Sequence, residues 1–487
     1  MRYSGEPISR PPIQLRPATW RVGIKWAILA YLLAGLGRLV AWMIRHPWIV
    51  ALIAAAVGMQ ISMSVYGTTA TVTPLAVLAA ALVVWRWRWP DSFDRLVWWP
   101  VKAIVRRAWV YRRGWQPAMT TVGLVERYND HEFLPTLRRV RCVGYVDRVT
   151  VRMLPGQILD DYADQGERLA MTFGSRDCRV TTGKRHGELD LCFLTFDPLC
   201  DTVPPLAPAD PPDLSALAVA LREDGRVYEQ QVLGNHLLIA GATGSGKGSV
   251  LWSILHALSP GVRSGLVEAW GIDPKGGMEF ALGQHLFARY CYGNDYDQAD
   301  EAGDGAAHEV AFAEVLESAV AIMQARQTRL RGVTRLHTPT EEEPLILVVV
   351  DELASLTAYV NDRDAKRRIR SALSLLLSQG RAVGVSVIAA LQDPRKDVLP
   401  FRDLFPARIA LRLTEREQVD MVLGDGYRAR GARCDRIPTS LPGVAYVVED
   451  GIPEPARIRF AYLSDEAIQT LGRPALRPLD DQGSEAA

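Results

Sequence analysis

A glycine-rich stretch in the middle of the chain has the composition of a phosphate-binding loop. Residues 241–249 read GATGSGKGS, which follows the pattern G-x-x-x-x-G-K-[ST] up to its last position. Glycines let backbone N–H groups turn inward around phosphate oxygens, and the lysine neutralises their charge. The stretch therefore predicts binding of ATP with Mg²⁺. The predicted contact residues are Gly241, Ala242, Thr243, Gly244, Ser245, Gly246, Lys247, Gly248 and Ser249.

The residue after Lys247 departs from that pattern, because Gly248 stands where a Ser or Thr hydroxyl normally binds Mg²⁺. Either the first helical turn shifts so that Ser249 reaches the ion, or water fills the position, which Mg²⁺ accepts readily. A third interpretation gives Ser249 only a capping or packing role. We predict Ser249 as a metal ligand.

Two acidic residues at the end of an apolar run complete this chemistry. The run 346–350 precedes Asp351 and Glu352. Asp351 is predicted to orient Mg²⁺ and Glu352 to polarise the attacking water. Gln392 ends another apolar run, 384–392, and is a candidate sensor of the γ-phosphate.

Two arginines are candidates to complete the site of a neighbouring subunit. Arg381 lies in the segment GRAVG, and Arg408 follows further along the chain. An arginine supplied in trans can stabilise the charge that develops during phosphoryl transfer. An ordinary surface or salt-bridged role is the alternative for each.

Four apolar runs are predicted to form the strands that position these residues. The run 236–240 leads directly into the glycine loop, and the helical pattern SVLWSILHAL follows. This is the strand, loop and helix order that a phosphate-binding loop requires. Such apolar runs suit strands buried on both faces of a parallel sheet. We therefore predict an α/β fold with a parallel central sheet; the other three runs are 266–273, 346–350 and 384–392.

The segments GATGSGKGS, IDPK, VVVDE and GRAVG, with the strand that ends in Gln392, resemble the FtsK/SpoIIIE family of membrane-anchored DNA translocases. The resemblance covers about residues 225–465 and extends to single-motor versions from actinobacterial conjugative elements. It implies a RecA-like P-loop motor, a hexameric ring with ATP sites between subunits, and double-stranded DNA moving through the pore.

The resemblance also assigns roles to individual residues. It implies that Lys247, Asp351 and Glu352 carry out ATP hydrolysis and that Gln392 senses the nucleotide. Lys275 of IDPK is expected to support the same site.

Because the chain continues only briefly past the apolar run 458–463, we expect no winged-helix domain of the kind that chromosome-segregating members of this family carry. We therefore expect conjugative transfer of a mobile element, with accessory proteins for DNA recognition or transfer as candidate partners. The alternatives are a protein-export ATPase of the type VII secretion kind and a coupling protein for single-stranded DNA.

The N-terminal region has the pattern of a membrane anchor. Residues 48–67 and 70–85 contain no charged residue, and the first stretch is long enough to span a bilayer core. Arginine-rich flanks on both sides predict that both termini are cytoplasmic. We therefore predict a transmembrane hairpin with helices at about 47–67 and 70–88. An interfacial helix that contacts lipid is predicted at about 24–44, N-terminal to the hairpin.

The distribution of charge separates the anchor from the rest of the chain. Residues 1–115 carry 15 Lys and Arg against 3 Asp and Glu, whereas residues 116–487 carry 41 against 52. This balance excludes a protein that coats DNA with a broad basic surface. Contact with DNA is expected to be confined to a few cations, with Arg395 and Lys396 as candidates. The six cysteines have no metal-ligand spacing and are predicted to be reduced.

Composition also suggests the domain boundaries. The anchor is expected to occupy residues 1–115, followed by a small α+β adaptor module at 116–202 with strands around 145–154 and 188–196 and one helix at 157–174. The remaining predicted segments are a Pro-rich linker at 203–224, the ATPase motor at 225–465 and a flexible tail at 466–487.

Overall fold

The structure is a computed structural model that describes residues 6–7, 47–128, 131–293, 307–395, 401–452 and 454–471. It contains two compact units. The first comprises Glu6–Val105 with Arg127–Phe133, and the second comprises Arg106–Glu126 with the chain from Leu134 onward. The predicted interfacial helix at 24–44 lies outside the described residues.

The first unit is mainly helical. Its longest helix, Pro47–Arg88, is interrupted at Gly67, which has φ 84° and ψ 164°. Three short strands form a small sheet in the order β1-β3-β2. The strands are β1 (Glu6–Pro7), β2 (Glu126–Tyr128) and β3 (His131–Leu134). The helical segments that follow Pro47–Arg88 in this unit are Pro90–Phe93, Asp94–Trp98 and Trp99–Arg106, the second being π-helical. The π-helical segment Arg107–Tyr111 and the helix Arg112–Thr121 belong to the second unit.

The predicted transmembrane hairpin is not supported. Among the described residues, no helix meets the length and apolarity needed to cross a membrane on its own. The segments Met63–Thr69 and Val72–Arg88 meet those requirements only as a pair, with a bend of 58° between them.

In the second unit, a four-stranded antiparallel sheet in the order β4-β5-β7-β6 follows the first two helical segments. The predicted strands at 145–154 and 188–196 correspond to β5 and β7. The single helix predicted at 157–174 is instead two short helices, Leu159–Ala163 and Gly166–Thr172. The first of them is capped at Asp164. The strands are β4 (Thr136–Val143), β5 (Val146–Arg152), β6 (Asp177–Thr182) and β7 (Glu188–Leu194).

Buried arginines join this four-stranded module to the larger sheet that follows. Arg457 donates to both carboxylate oxygens of Asp197, at 2.9 and 2.8 Å. Arg459 is only 4% exposed and donates to the carbonyl oxygens of Leu199 and Cys200, at 3.0 and 2.9 Å. The module is therefore fixed to the larger sheet before the Pro-rich segment begins.

The larger sheet has ten strands in the order β12-β11-β13-β14-β10-β15-β16-β17-β8-β9. The pairs from β12 to β15 are parallel, and the remaining pairs are antiparallel. The predicted parallel sheet is thus present, with an antiparallel extension. The strands are β8 (Leu217–Arg222), β9 (Val227–Gln230), β10 (Leu237–Ala240), β11 (Val267–Asp273), β12 (Arg289–Tyr292), β13 (Leu345–Val350), β14 (Val385–Leu391), β15 (Ala407–Ala410), β16 (Val444–Glu449) and β17 (Ala456–Phe460).

Helices cover both faces of this sheet, which explains the continuous apolar runs. Successive side chains of a strand point to opposite faces. Leu238 and Val348 accordingly pack in one core with Phe312, and Leu237 and Leu347 pack in the other. The helices are Lys247–Arg263, Ala307–Leu330, Leu353–Thr357, Arg363–Gln379, Arg416–Leu423 and Asp465–Thr470. Short 3₁₀ turns occupy Pro198–Cys200, Ala281–Leu286, Arg381–Val383, Arg402–Leu404 and Cys434–Arg436.

Two predicted boundaries differ from the structure. The strand β8 lies within the predicted linker at 203–224 but pairs with β17 in the larger sheet. The helix Asp465–Thr470 lies at the start of the predicted tail, and Ile468 is buried in the core. Both segments were too short to show a clear period in sequence. All six cysteines are free.

Candidate nucleotide site

The glycine loop connects β10 to the helix Lys247–Arg263, at the carboxyl edge of the parallel strands. Gly244 and Gly246 have φ of 71° and 97°, a conformation that only glycine adopts without strain. A β-carbon on Gly246 would clash with the backbone nitrogen of Gly443. That nitrogen donates to the Ser245 carbonyl oxygen at 2.9 Å. This hydrogen bond from Gly443 therefore helps to fix the conformation of the glycine loop.

Lys247 folds back over this loop. Its Nζ donates to the carbonyl oxygen of Gly241 at 2.9 Å. Burial, and after it the positive charge of Lys275, lower the pKa of Lys247 to about 8. The ammonium group therefore lies where an anionic partner would be strongly favoured.

The acidic pair lies at the end of β13, as predicted. Asp351 and Glu352 are each 5% exposed. Lys275 Nζ lies 3.5 Å from Asp351 Oδ2 and 3.0 Å from Glu352 Oε2. Burial raises the pKa of Asp351, while the Lys275 charge opposes that rise. The structure therefore brings Lys275 into direct contact with both acids.

Gln392 connects the glycine loop to the acidic pair. Its backbone nitrogen donates to Glu352 Oε1 at 3.3 Å, and its side-chain oxygen accepts from Thr243 Oγ1 at 3.1 Å. Arg412 Nη2 donates to the Thr243 carbonyl oxygen at 2.8 Å. A displacement of the glycine loop would therefore shift Gln392 and, through its hydrogen bond, Glu352.

The segment after β11 is organised by one buried carboxylate. Asp273 is 0% exposed and accepts backbone hydrogen bonds from Lys275 at 3.1 Å, Glu279 at 2.9 Å and Phe280 at 3.1 Å. Gly276 and Gly277 have φ of 72° and 79° and turn the chain between these residues. Asp273 thereby sets the positions of Lys275 and Glu279.

Sequence reasoning missed Glu279. A β-carbon built on Gly248 would lie 2.5 Å from Glu279 Oε1, so the carboxylate occupies the space beside the unusual glycine. Burial, and after it the nearby Asp351 charge, raise the pKa of Glu279 to about 7. The missing hydroxyl at position 248 was the only signal in the sequence that something else stands there.

The structure does not bring Arg381 to the acidic pair. Arg381 is exposed, and its Nε donates to the Gly234 carbonyl oxygen at 3.0 Å. It precedes β14, whereas Gln392 follows that strand, so Arg381 lies at the opposite edge of the sheet. Arg381 was predicted to complete the site of a neighbouring subunit, and that role stays a prediction. Ser249 Cβ lies 3.9 Å from a β-carbon built on Gly443, and its role as a ligand stays a prediction.

The residues present fit a nucleotide with Mg²⁺. The described part of the chain contains no group of three or more His, Cys, Asp or Glu side chains that could hold an ion alone. Nucleotide-bound Mg²⁺ needs only one or two carboxylates, because phosphates and waters supply the other oxygens. Asp351 meets that requirement, and the space beside Gly248 admits a second carboxylate.

Sequence comparison identifies the domain that contains this site. Residues 212–433 match the sequence profile of the FtsK/SpoIIIE family. Residues 212–433 form an FtsK/SpoIIIE domain. This family consists of P-loop ATPases, so the domain is an ATPase domain. The match includes β8, which the predicted boundary at 225 had excluded.

Individual proteins and solved structures are also similar to this chain. DNA translocase FtsK of Staphylococcus aureus is 28% identical over 248 residues, which is 48% of this chain and 29% of the relative. The chain thus covers less than a third of the length of that relative. Among solved structures, the pCW3 conjugation coupling protein TcpA, determined with ATPγS, is 18% identical and has a TM-score of 0.46; the similarity covers 73% of this chain and 95% of TcpA. The type VII secretion ATPase EccC of Thermomonospora curvata is 21% identical with a TM-score of 0.42, covering 57% and 33%.

Proposed function

We propose that this chain is an ATP-driven translocase of double-stranded DNA that serves conjugative transfer of a mobile element. The FtsK/SpoIIIE domain at residues 212–433 carries this proposal, together with relatives that are named DNA translocases. The contacts of the site support it, because Gln392 links the glycine loop to Glu352.

Each residue of the site has a role in this proposal. Lys247 moves from the Gly241 carbonyl oxygen to the β- and γ-phosphate oxygens. Asp351 is the first residue that would hold Mg²⁺, which when bound supplies positive charge at those oxygens. Glu352 accepts a hydrogen bond from the attacking water, and Gln392 reports the presence of the γ-phosphate through Thr243. Lys275 positions both acids.

One face of the four-stranded module is suited to a polyanion. Arg141 on β4 lies directly opposite Arg148 on β5, and like charges in that arrangement are destabilising. Asp190 and Glu454 lie 3.9 and 3.5 Å from Arg148 and offset part of this repulsion, and phosphate groups would relieve the rest. The further basic side chains of the same cavity, which Glu188 and Asp190 also line, are Arg138, Arg139, Arg152, Lys184, Arg185 and His186. Of the cations proposed from sequence, Arg395 pairs with Asp393 at 2.7 Å, and Lys396 lies outside the described residues.

The ATPase activity of the full chain is expected to rise when duplex DNA is added and to respond little to its sequence. Binding should weaken steeply with salt, because phosphate contacts release counterions. Phosphate release with duplex DNA, single-stranded DNA or neither would measure this. A response to single strands alone would favour a single-strand coupling protein, and no response to either would favour protein export; both results would contradict the proposal.

We also propose a ring, with ATP sites completed by a neighbouring subunit. Arg381 is exposed and far from its own loop, so it is available to another subunit. Turnover per subunit should then rise steeply with protein concentration, and closed rings, as hexamers, should form on DNA. Mass photometry alongside phosphate release would follow both. Full activity of a monomer at high dilution would contradict the ring.

We further propose that the helix Pro47–Arg88 attaches the protein to the cytoplasmic face of the cell membrane. Its apolar side chains are exposed, with Val65 64%, Val77 63% and Val83 67% accessible. Arg86 and Arg88 end the helix with positive charge, which suits anionic headgroups. Recovery of the chain in the soluble fraction of lysed cells would contradict this.

A further inference from the structure

Gly248 and Glu279 occupy one space between them. A β-carbon on Gly248 would lie 2.5 Å from Oε1, 3.3 Å from Cδ and 3.4 Å from Oε2 of Glu279. The first distance is far shorter than carbon and oxygen tolerate without a bond. A side chain at position 248 is therefore incompatible with the present position of Glu279, and the glycine leaves room for the carboxylate.

Several contacts fix the Glu279 carboxylate at this position. Trp252 Nε1, on the same helix as Gly248, donates to Glu279 Oε1 at 3.1 Å. The backbone nitrogen of Glu279 is held by the buried Asp273. The next residue, Phe280, is fully buried and packs edge-on against Trp252, with ring centroids 6.0 Å apart. Glu279 is thus a positioned group rather than a loose surface acid.

The location of this carboxylate matches the function that the loop lacks. In a complete loop, the residue after the lysine directs an oxygen at the metal ion. Here, an oxygen from another segment lies beside that residue, and Asp351 is close enough to interact with it electrostatically. Carboxylate oxygens are among the ligands that Mg²⁺ accepts in nucleotide sites. The two acids would face the ion from β13 and from the segment after β11.

We propose that the Glu279 carboxylate replaces the missing hydroxyl and directs an oxygen at the Mg²⁺ of bound nucleotide. This inference rests on the proposed ATP-binding function of the same loop. It has a consequence that a hydroxyl would not have, because a carboxylate carries negative charge. Glu279 repels the phosphates of a metal-free nucleotide and attracts those that carry Mg²⁺. The protein should therefore discriminate between the two forms more strongly than a loop with a neutral hydroxyl.

Glu279→Gln tests this discrimination without relying on catalysis. The amide keeps the shape and the acceptor for Trp252 but removes the charge. We expect it to weaken binding of a fluorescent ATP analogue in Mg²⁺ by about 10- to 100-fold and to leave binding in EDTA equal or stronger. Titration of the full chain under both conditions, with electron paramagnetic resonance of Mn²⁺ as a direct measure of the ion, would show this.

Glu268→Gln is the matched control. Trp270 Nε1 donates to Glu268 Oε1 at 2.8 Å, the same kind of contact near the other end of β11. It should leave both affinities unchanged. An unchanged ratio of Mg²⁺ to EDTA affinity in Glu279→Gln would overturn the inference. A wild-type chain that binds no nucleotide would overturn the proposed function itself.

A second pair of variants covers the case in which Glu279→Gln fails to fold. Gly248→Ser alone should weaken binding in Mg²⁺, because its β-carbon collides with Glu279. Adding Glu279→Ala makes space for the hydroxyl and rebuilds the usual loop, so the double variant should regain Mg²⁺-dependent binding. If Gly248→Ser alone binds as the wild type does, or the double variant binds no better than Glu279→Ala, Glu279 has no role toward the ion.

Discussion

Glu352→Gln is expected to lower ATP turnover by about 100- to 10,000-fold, the usual contribution of a positioned general base, while nucleotide binding persists. The amide still accepts the hydrogen bond from the Gln392 backbone nitrogen, which is 3.3 Å from Glu352 Oε1. It cannot polarise water as a carboxylate does, and it loses the ion pair with Lys275. Phosphate release and binding of a fluorescent ATP analogue would measure the two effects separately.

Two further variants define what this result means. Lys247→Ala should lose binding as well as turnover, because Lys247 is expected to contact the phosphates themselves. Glu342→Gln removes an exposed carboxylate just before the other end of β13 and should change neither. Turnover by Glu352→Gln at the wild-type rate would show that another group activates the water.

Asp273→Asn is expected to lower both stability and turnover. The buried carboxylate accepts three backbone N–H groups, and an amide must direct its own NH₂ at one or more of them. An unsatisfied buried donor costs about 1–3 kcal/mol. The segment that carries Lys275 and Glu279 would shift, and a displacement near 1 Å can reduce turnover by about 100-fold.

Thermal unfolding and phosphate release on the same preparation would test the Asp273 prediction. Asp213 is the matched control, because its carboxylate accepts from the Ser215 backbone nitrogen at 2.9 Å in an exposed turn. Water can replace that contact, so Asp213→Asn should leave both measurements near wild type. An Asp273→Asn chain as stable and active as wild type would show that the segment is held by other contacts.

The parallel part of the sheet could be predicted because burial on both faces leaves a clear pattern in sequence. The strands β10, β11, β13 and β14 coincide with the four apolar runs. The strand β8 and the helix Asp465–Thr470 were missed because they are short and depend on pairing or packing with distant segments. The N-terminal apolar blocks have the composition of two spanning helices, yet among the described residues no single helix meets the requirements for crossing a membrane.

The site residues also fall into those that could be predicted from sequence and those that could not. Lys247, Asp351, Glu352 and Gln392 could be placed together because each follows a parallel strand, and such strands end at one edge. Glu279 could not, since its position depends on the path of a loop with two left-handed glycines and on a buried carboxylate. Arg381 was linked to the site by its sequence motif, whereas its position before β14 places it at the other edge.

The ion pair of Arg457 with Asp197 has a mechanical consequence. Arg457 lies on β17, a strand of the larger sheet, and its partner Asp197 follows the module and precedes the Pro-rich segment. The Pro-rich segment is therefore not a flexible linker between two parts that move independently. If the larger sheet rotates during a nucleotide cycle, the basic face of the module would rotate with it as one rigid body.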